Sequence, residues 1–147
     1  MLKRLAFCFA IYSISTLAAE SRFVQQLPLP DNHSVIQVAE GDHEPRSIGS
    51  YSIRLYGGRN PDFPLDDFIS GQIYPRDGQI ERLLNTDADG DGHGEVVVVI
   101  RSAGSGGYLH ADVFSWQQGQ IKKILSLPDL PPKADVLTEV KRVVRKR

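Results

Sequence analysis

The chain has 147 residues, a formal charge of −1, 41% apolar and 24% charged residues, and a single cysteine. These figures sit near the globular average and exclude a membrane protein, a disordered chain and a disulfide-knotted miniprotein.

Lys3 and Arg4 form a short positive start, residues 5–17 an apolar stretch, and Ala18-Ala19 a small-residue exit. That order reads as a secretory signal over residues 1–19, with an apolar part too short to span a bilayer. Cys8 has too few apolar residues before it for lipid attachment, so it leaves with the signal. The exported domain then contains no disulfide and depends on its core, which suits a bacterial periplasm. About 128 residues remain, one domain able to bury about two-thirds of its unfolded surface.

The net charge hides an asymmetry. Residues 20–132 carry 16 Asp and Glu against 9 Lys and Arg, or −7, whereas residues 133–147 carry 6 basic and 2 acidic residues, or +4. The chain thus divides into a body over 20–132 and a basic C-terminal tail over 133–147. An acidic body argues against nucleic acid and favours a cationic partner, through faster encounter more than final affinity.

Residues 20–32, with Pro28 and Pro30, read as an extended lead-in. Residues 34–40 predict a strand. In residues 50–56, Tyr51, Ile53 and Leu55 alternate with Ser52, Arg54 and Tyr56, the period of a half-buried strand. Gly57-Gly58 and Asn60-Pro61 break the chain into a loop. Residues 67–74 and 79–84 flank Pro75-Arg76-Asp77-Gly78, whose chemistry fits a tight hairpin turn. Val96 to Ile100 is a run of five β-branched residues, apolar on both faces, and predicts a central strand. Residues 108–116 alternate again, with Leu109, Ala111 and Val113 on one side, and residues 120–127 follow a turn at Gln118-Gly119.

Seven or eight short strands separated by turns predict an all-β fold, an antiparallel sandwich or barrel. Pro128, Pro131 and Pro132 end the sheet. Residues 134–144 then offer one short helix, with Leu137, Val140 and Val144 at helical spacing.

Two loops carry the chemistry. The first is Asp87-Ala88-Asp89-Gly90-Asp91-Gly92-His93-Gly94-Glu95. Asp87, Asp89, Asp91 and Glu95 place oxygen ligands at alternate positions with a glycine at the bend, a calcium-loop arrangement. The glutamate an EF-hand needs three positions later is replaced by Val98, and flanking helices are lacking. Asp and Gly are equally the residues of a plain turn before a buried strand. A bound calcium and a simple turn both remain open, and no cofactor is required by either.

The second loop is Ser102-Ala103-Gly104-Ser105-Gly106-Gly107-Tyr108. Its glycines allow close approach to another surface, Ser105 offers a donor and two acceptors, and Tyr108 a rigid ring with a polar tip. A slim loop with those two groups suits a cleft lined with carboxylates, and a flexible hairpin connection with no task is the plainer alternative. A serine nucleophile would want a strained elbow leading into a helix, but Ala103 precedes and a strand follows. His33, His43, His93 and His110 read as surface or edge residues, and no lysine follows the glycines to hold a phosphate. The chain is not read as an enzyme.

The run from Glu95-Val96-Val97-Val98-Val99-Ile100-Arg101 through Ser105-Gly106-Gly107-Tyr108-Leu109 resembles the periplasmic inhibitors of invertebrate-type (I-type) lysozyme. The resemblance extends through Asp87-Ala88-Asp89-Gly90-Asp91-Gly92, Phe63-Pro64-Leu65-Asp66-Asp67-Phe68-Ile69, and Glu44-Pro45-Arg46 on to Tyr56. It covers residues 40–127. It implies an antiparallel β-sandwich, often a homodimer, whose Ser-Gly-Gly-Tyr loop enters the enzyme's active-site groove. That places Ser105, Gly106, Gly107 and Tyr108 at the lysozyme contact. His110 departs from the family form, where a small residue is usual, and is a secondary candidate. The basic ending from Lys133 has no counterpart in the resemblance. The competing reading is a calcium-stabilised periplasmic ligand-binding module that uses residues 87–95.

Overall fold

The β-branched and alternating runs become strands in a computed structural model that describes residues 21–30 and 33–146. The signal segment expected over residues 1–19, Cys8 included, lies outside the described residues. In chain order the elements are β1 (Val24–Pro28), β2 (Val35–Glu40), β3 (Ile48–Tyr56), β4 (Phe68–Asp77), β5 (Gln79–Thr86), β6 (Glu95–Arg101), β7 (Leu109–Gln117), β8 (Gln120–Leu130) and α1 (Val136–Val144). The first four strands form one antiparallel sheet in sequential order, and the last four form a second. The two sheets face each other as a sandwich. It is not a closed barrel.

Alternation decides which side chains meet between the sheets. Ile36, Val38, Tyr51, Ile53 and Leu55 project from the first sheet, and Val96, Val98, Ile100 and Phe114 from the second. β6 has a second apolar face because α1 covers the back of its sheet. Val97 and Val99 pack there with Ala111, Val113, Leu125, Val136 and Val140. Burying each valine of the helix contributes about 1.5 kcal/mol or more. The central position expected for β6 therefore holds, between β5 and β7. Asp135 caps the helix by accepting from the Thr138 N–H and hydroxyl.

Two expectations are corrected. Residues 75–78 are not a hairpin turn: Pro75, Arg76 and Asp77 belong to β4, and β5 begins at Gln79 in the other sheet. Gly78 is the corner between sheets, with φ +112 and its N–H donating to the Ser47 carbonyl at 2.8 Å. A Cβ there would lie 2.0 Å from the Arg101 carbonyl oxygen, so only glycine fits. Nor does Pro128 end the sheet, since β8 continues through it to Leu130. Pro28, Pro75 and Pro128 all lie on edge strands, where a missing N–H is tolerated.

A buried ion pair fixes the corner. The Arg76 guanidinium lies 3.9 Å from Glu40 and 3.7 Å from Glu44, and donates to the carbonyls of Ser50, Arg46, Pro45 and Gly78. Glu40 in turn accepts from the Ile80 N–H at 2.8 Å, tying β2 to the start of β5. With every donor satisfied, the buried charge holds the two sheets in register at this end.

Candidate functional site

The two loops singled out in the sequence lie at opposite ends of β6. Seven residues of strand separate them, roughly 20 Å.

At the C-terminal end, residues 102–108 join β6 to β7. The Ser102 N–H donates to the Tyr108 carbonyl at 2.9 Å, and the Gly107 N–H to the Gly104 carbonyl at 3.1 Å. Arg101 donates through Nη1 to the Gly107 carbonyl at 2.8 Å, while its Nε meets Glu81 on β5. These bonds use backbone groups and leave the side chains outward. Ser105 and Gly106 are exposed, Gly107 half-buried, and Tyr108 50% exposed. Neither the Ser105 hydroxyl nor the Tyr108 phenol makes a hydrogen bond among the described residues. Gly106 has its own reason: a Cβ would fall 2.4 Å from the Tyr108 ring. The ring lies over the bare Cα, and any larger residue would displace it.

Behind the loop a cleft of about 420 Å³ opens where the sheets diverge, with Tyr108 and His110 on its lining. His110 does not share the loop's freedom. Its Nε2 lies 3.0 Å from Asp112 Oδ1 and 3.1 Å from the Ser126 hydroxyl. A serine, a histidine and an aspartate thus meet, but both partners use one ring nitrogen and Ser126 also bonds Asp112 directly. No relay runs through the imidazole, and Ser105 takes no part. Asp112 also accepts from the Tyr51 phenol at 2.6 Å. Burial pushes its carboxyl up, but the bonds from His110, Ser126 and Tyr51 outweigh it and hold the group well below the usual carboxylate range. Burial beside this charge raises the Tyr51 phenol far above its ordinary value.

At the N-terminal end, residues 87–94 join β5 to β6. Carboxylate oxygens of Asp87, Asp89 and Glu95 come within 4.8 Å of one another, while Asp91 stands outside that group. The aspartates are occupied locally. Asp87 accepts from the Gly90 N–H at 2.6 Å and the Gly92 N–H at 3.1 Å, and Asp91 from the His93 N–H at 2.7 Å. Such Asx bonds are the chemistry of a self-supporting turn. Glu95 is buried and accepts from the Ala88 N–H at 2.7 Å. Burial, then the charges of Asp89, Asp91 and Asp87, push its carboxyl above the ordinary range against the pull of that bond. One oxygen each from Asp87, Asp89 and Glu95 forms a set that a divalent cation could share.

Sequence reasoning missed the support for these loops. Arg101 braces the second, and its signal was a lone cation at the end of an apolar run beside glycines. Asp112 anchors β7, and its signal was a carboxylate on the face opposite Leu109, Ala111 and Val113. Buried Arg76 sat hidden in what read as turn chemistry.

Comparison with known proteins agrees with this fold. The sequence model described as periplasmic lysozyme inhibitor of I-type lysozyme matches residues 21–144. The crystal structure of PliI-Ah, the periplasmic lysozyme inhibitor of I-type lysozyme from Aeromonas hydrophila, is similar with a TM-score of 0.75 and 45% identity, covering 80% of this chain and 98% of that one. A structure of Aeromonas hydrophila PliI in complex with Meretrix lusoria lysozyme gives 0.74 and 47%, covering 81% and 95%. No curated protein matches the chain. The matched span includes all eight strands and α1, and the chain belongs to the family of periplasmic lysozyme inhibitors of I-type lysozyme.

Proposed function

We propose that this protein inhibits I-type lysozyme in the periplasm by inserting the Ser105-Gly106-Gly107-Tyr108 loop into the enzyme's active-site groove. Lysozymes cut glycans with a carboxylic acid and a second carboxylate. Ser105 and Tyr108 donate hydrogen bonds to those groups and stand where the sugar would lie. The observation that carries this reading is the loop's division of labour: its backbone is bonded inward, and its two hydroxyls are exposed and unspent. A braced loop loses little conformational freedom on docking, so more of each new bond appears as affinity. The acidic body adds steering toward a cationic enzyme, seen as an association rate that falls with salt.

Hydrogen bonds to charged groups contribute roughly 1.5–3 kcal/mol each. Ser105→Ala alone then weakens inhibition about tenfold to a hundredfold, and Ser105→Ala with Tyr108→Ala abolishes it. Titration of each variant against clam lysozyme in a lysis assay checks this. Undiminished inhibition by the double variant rejects the role.

The calcium-module reading draws on the convergence of Asp87, Asp89 and Glu95. A cation at that end of β6 would sit too far from Tyr108 to touch the same groove, so the two readings separate cleanly. Inhibition that survives chelation favours the loop, and inhibition lost on chelation favours the module.

A further inference from the structure

We infer that the cleft beside Tyr108 is a second anchor, which seats a basic side chain, arginine or lysine, from the rim of the lysozyme groove between Asp77 and Asp129. This rests on the loop-in-groove reading and extends it.

The cleft is made by the fold's corner. Ile48 and Pro75 wall it from the first sheet, Ile100 and Pro128 from the second, and Tyr108 stands on its lining. Its volume of about 420 Å³ is within the range of sites that enclose small ligands. Ile48 is 61% exposed beside a half-exposed Tyr108. Apolar surface of this kind, kept in water next to a recognition loop, marks a contact face.

Charge selects the occupant. The neighbouring carboxylates already have partners: Glu40 and Glu44 face Arg76, Glu81 faces Arg82 and Arg101, and Asp112 faces His110 and Lys123. Asp77 and Asp129 line the cleft and make no ion pair or side-chain hydrogen bond among the described residues. The two basic side chains that border the cleft, Arg76 and His110, are bonded to those other acids and do not pair with Asp77 or Asp129. An apolar side chain or a neutral sugar pressed into the cleft would desolvate both carboxylates and leave them unpaired, at considerable cost. A long basic side chain satisfies every wall. Its methylenes pack on Ile48, Pro75 and Pro128, its head meets the carboxylates, and the Tyr108 ring adds a cation–π contact.

The test is surface plasmon resonance of the exported chain with Meretrix lusoria lysozyme. Asp129 has φ +56, a conformation asparagine also tolerates, so Asp77→Asn with Asp129→Asn removes charge and keeps shape. Its melting temperature should match the wild type. A seated pair is lost mainly in dissociation, which should speed up about tenfold. Asp62→Asn with Asp66→Asn removes equal charge from the loop after β3, at the other end of the sandwich, and should slow association alone. An unchanged dissociation rate in the Asp77, Asp129 variant overturns the anchor. If Ser105→Ala with Tyr108→Ala still abolishes binding in that case, the loop reading stands without it. If the loop variant binds normally while the cleft variant dissociates faster, the loop reading fails and takes with it the anchor's place at the groove rim and its Tyr108 contact, leaving only the two carboxylates as an enzyme contact. A wild-type chain that binds no I-type lysozyme overturns both.

Discussion

The loops at the two ends of β6 are both rich in glycine and spend their polar side chains in opposite ways. Residues 87–94 turn their carboxylates onto their own backbone, so that Asp87 alone accepts from two glycine N–H groups. Residues 102–108 satisfy backbone with backbone, with Arg101 and with the Ser102 hydroxyl, and the hydroxyls of Ser105 and Tyr108 stay unused. A loop that consumes its polar groups contributes to stability. One that withholds them is available for recognition. Glycine content does not distinguish the two, but the destination of each hydrogen bond does.

The comparison breaks most readily at Gly106. Its φ is not in the left-handed region, so alanine is tolerated by the backbone. The added methyl would sit 2.4 Å and 2.7 Å from two carbons of the Tyr108 ring. The ring must swing away while the bonds that brace the loop survive. Gly106→Ala should therefore weaken inhibition of clam lysozyme about tenfold to a hundredfold, with an unchanged thermal melt. A fall in melting temperature with intact inhibition would mean that this loop, too, serves stability.

Much of this was legible in the sequence, and the failures share one cause. The five β-branched residues of β6 announced a strand with two buried faces, and Tyr51, Ile53 and Leu55 announced the face of β3 that meets the core. The Ser-Gly-Gly-Tyr loop stood out through the family resemblance, because glycine and serine between two strand patterns serve a plain connection just as well. Pro75-Arg76-Asp77-Gly78 misled because local turn chemistry looks the same whether a chain folds back on its neighbour or crosses to another sheet. Only the partners of Arg76, from Glu40 to the Pro45 carbonyl, decide between them, and those lie about 30 residues away. The roles of Asp112 and Arg101 likewise depend on strands distant in sequence.

Tyr51 sharpens the comparison from the core side, where polar groups serve stability without being on a loop. Tyr51→Phe removes a 2.6 Å donor from buried Asp112, a loss of roughly 1.5–3 kcal/mol at neutral pH. The Asp112 carboxyl is depressed in the folded state, so its contribution is present above the ordinary aspartate value near 3.8. It fades as pH falls from there through the depressed value. Urea titrations of wild type and variant should differ by that amount at pH 7, and the gap should narrow only as pH falls well below 4, through the depressed value. Because Asp112 is buried behind the cleft, inhibition at room temperature should not change. A gap that stays constant even where acid has protonated the folded Asp112 would show that the hydroxyl stabilises independently of the Asp112 charge.

The smallest effect, and the finest test of the contrast, is at Glu95. Its carboxyl is raised rather than lowered, so the fold favours the protonated form and ionisation costs stability. That cost appears as pH rises from the ordinary value of 4.5 through the raised one. Glu95→Gln keeps an oxygen for the Ala88 N–H and removes the charge facing Asp87 and Asp89. In buffer free of divalent cations the variant should melt about 1–3 °C above the wild type at pH 7, and the gap should close below pH 4. Calcium sharpens the reading, because a cation shared by Asp87, Asp89 and Glu95 would stabilise the wild type and not the variant, reversing their order. In either case inhibition of lysozyme should stay the same. A Glu95 variant that lost inhibition would join the two ends of β6 into one functional unit and end the contrast between them.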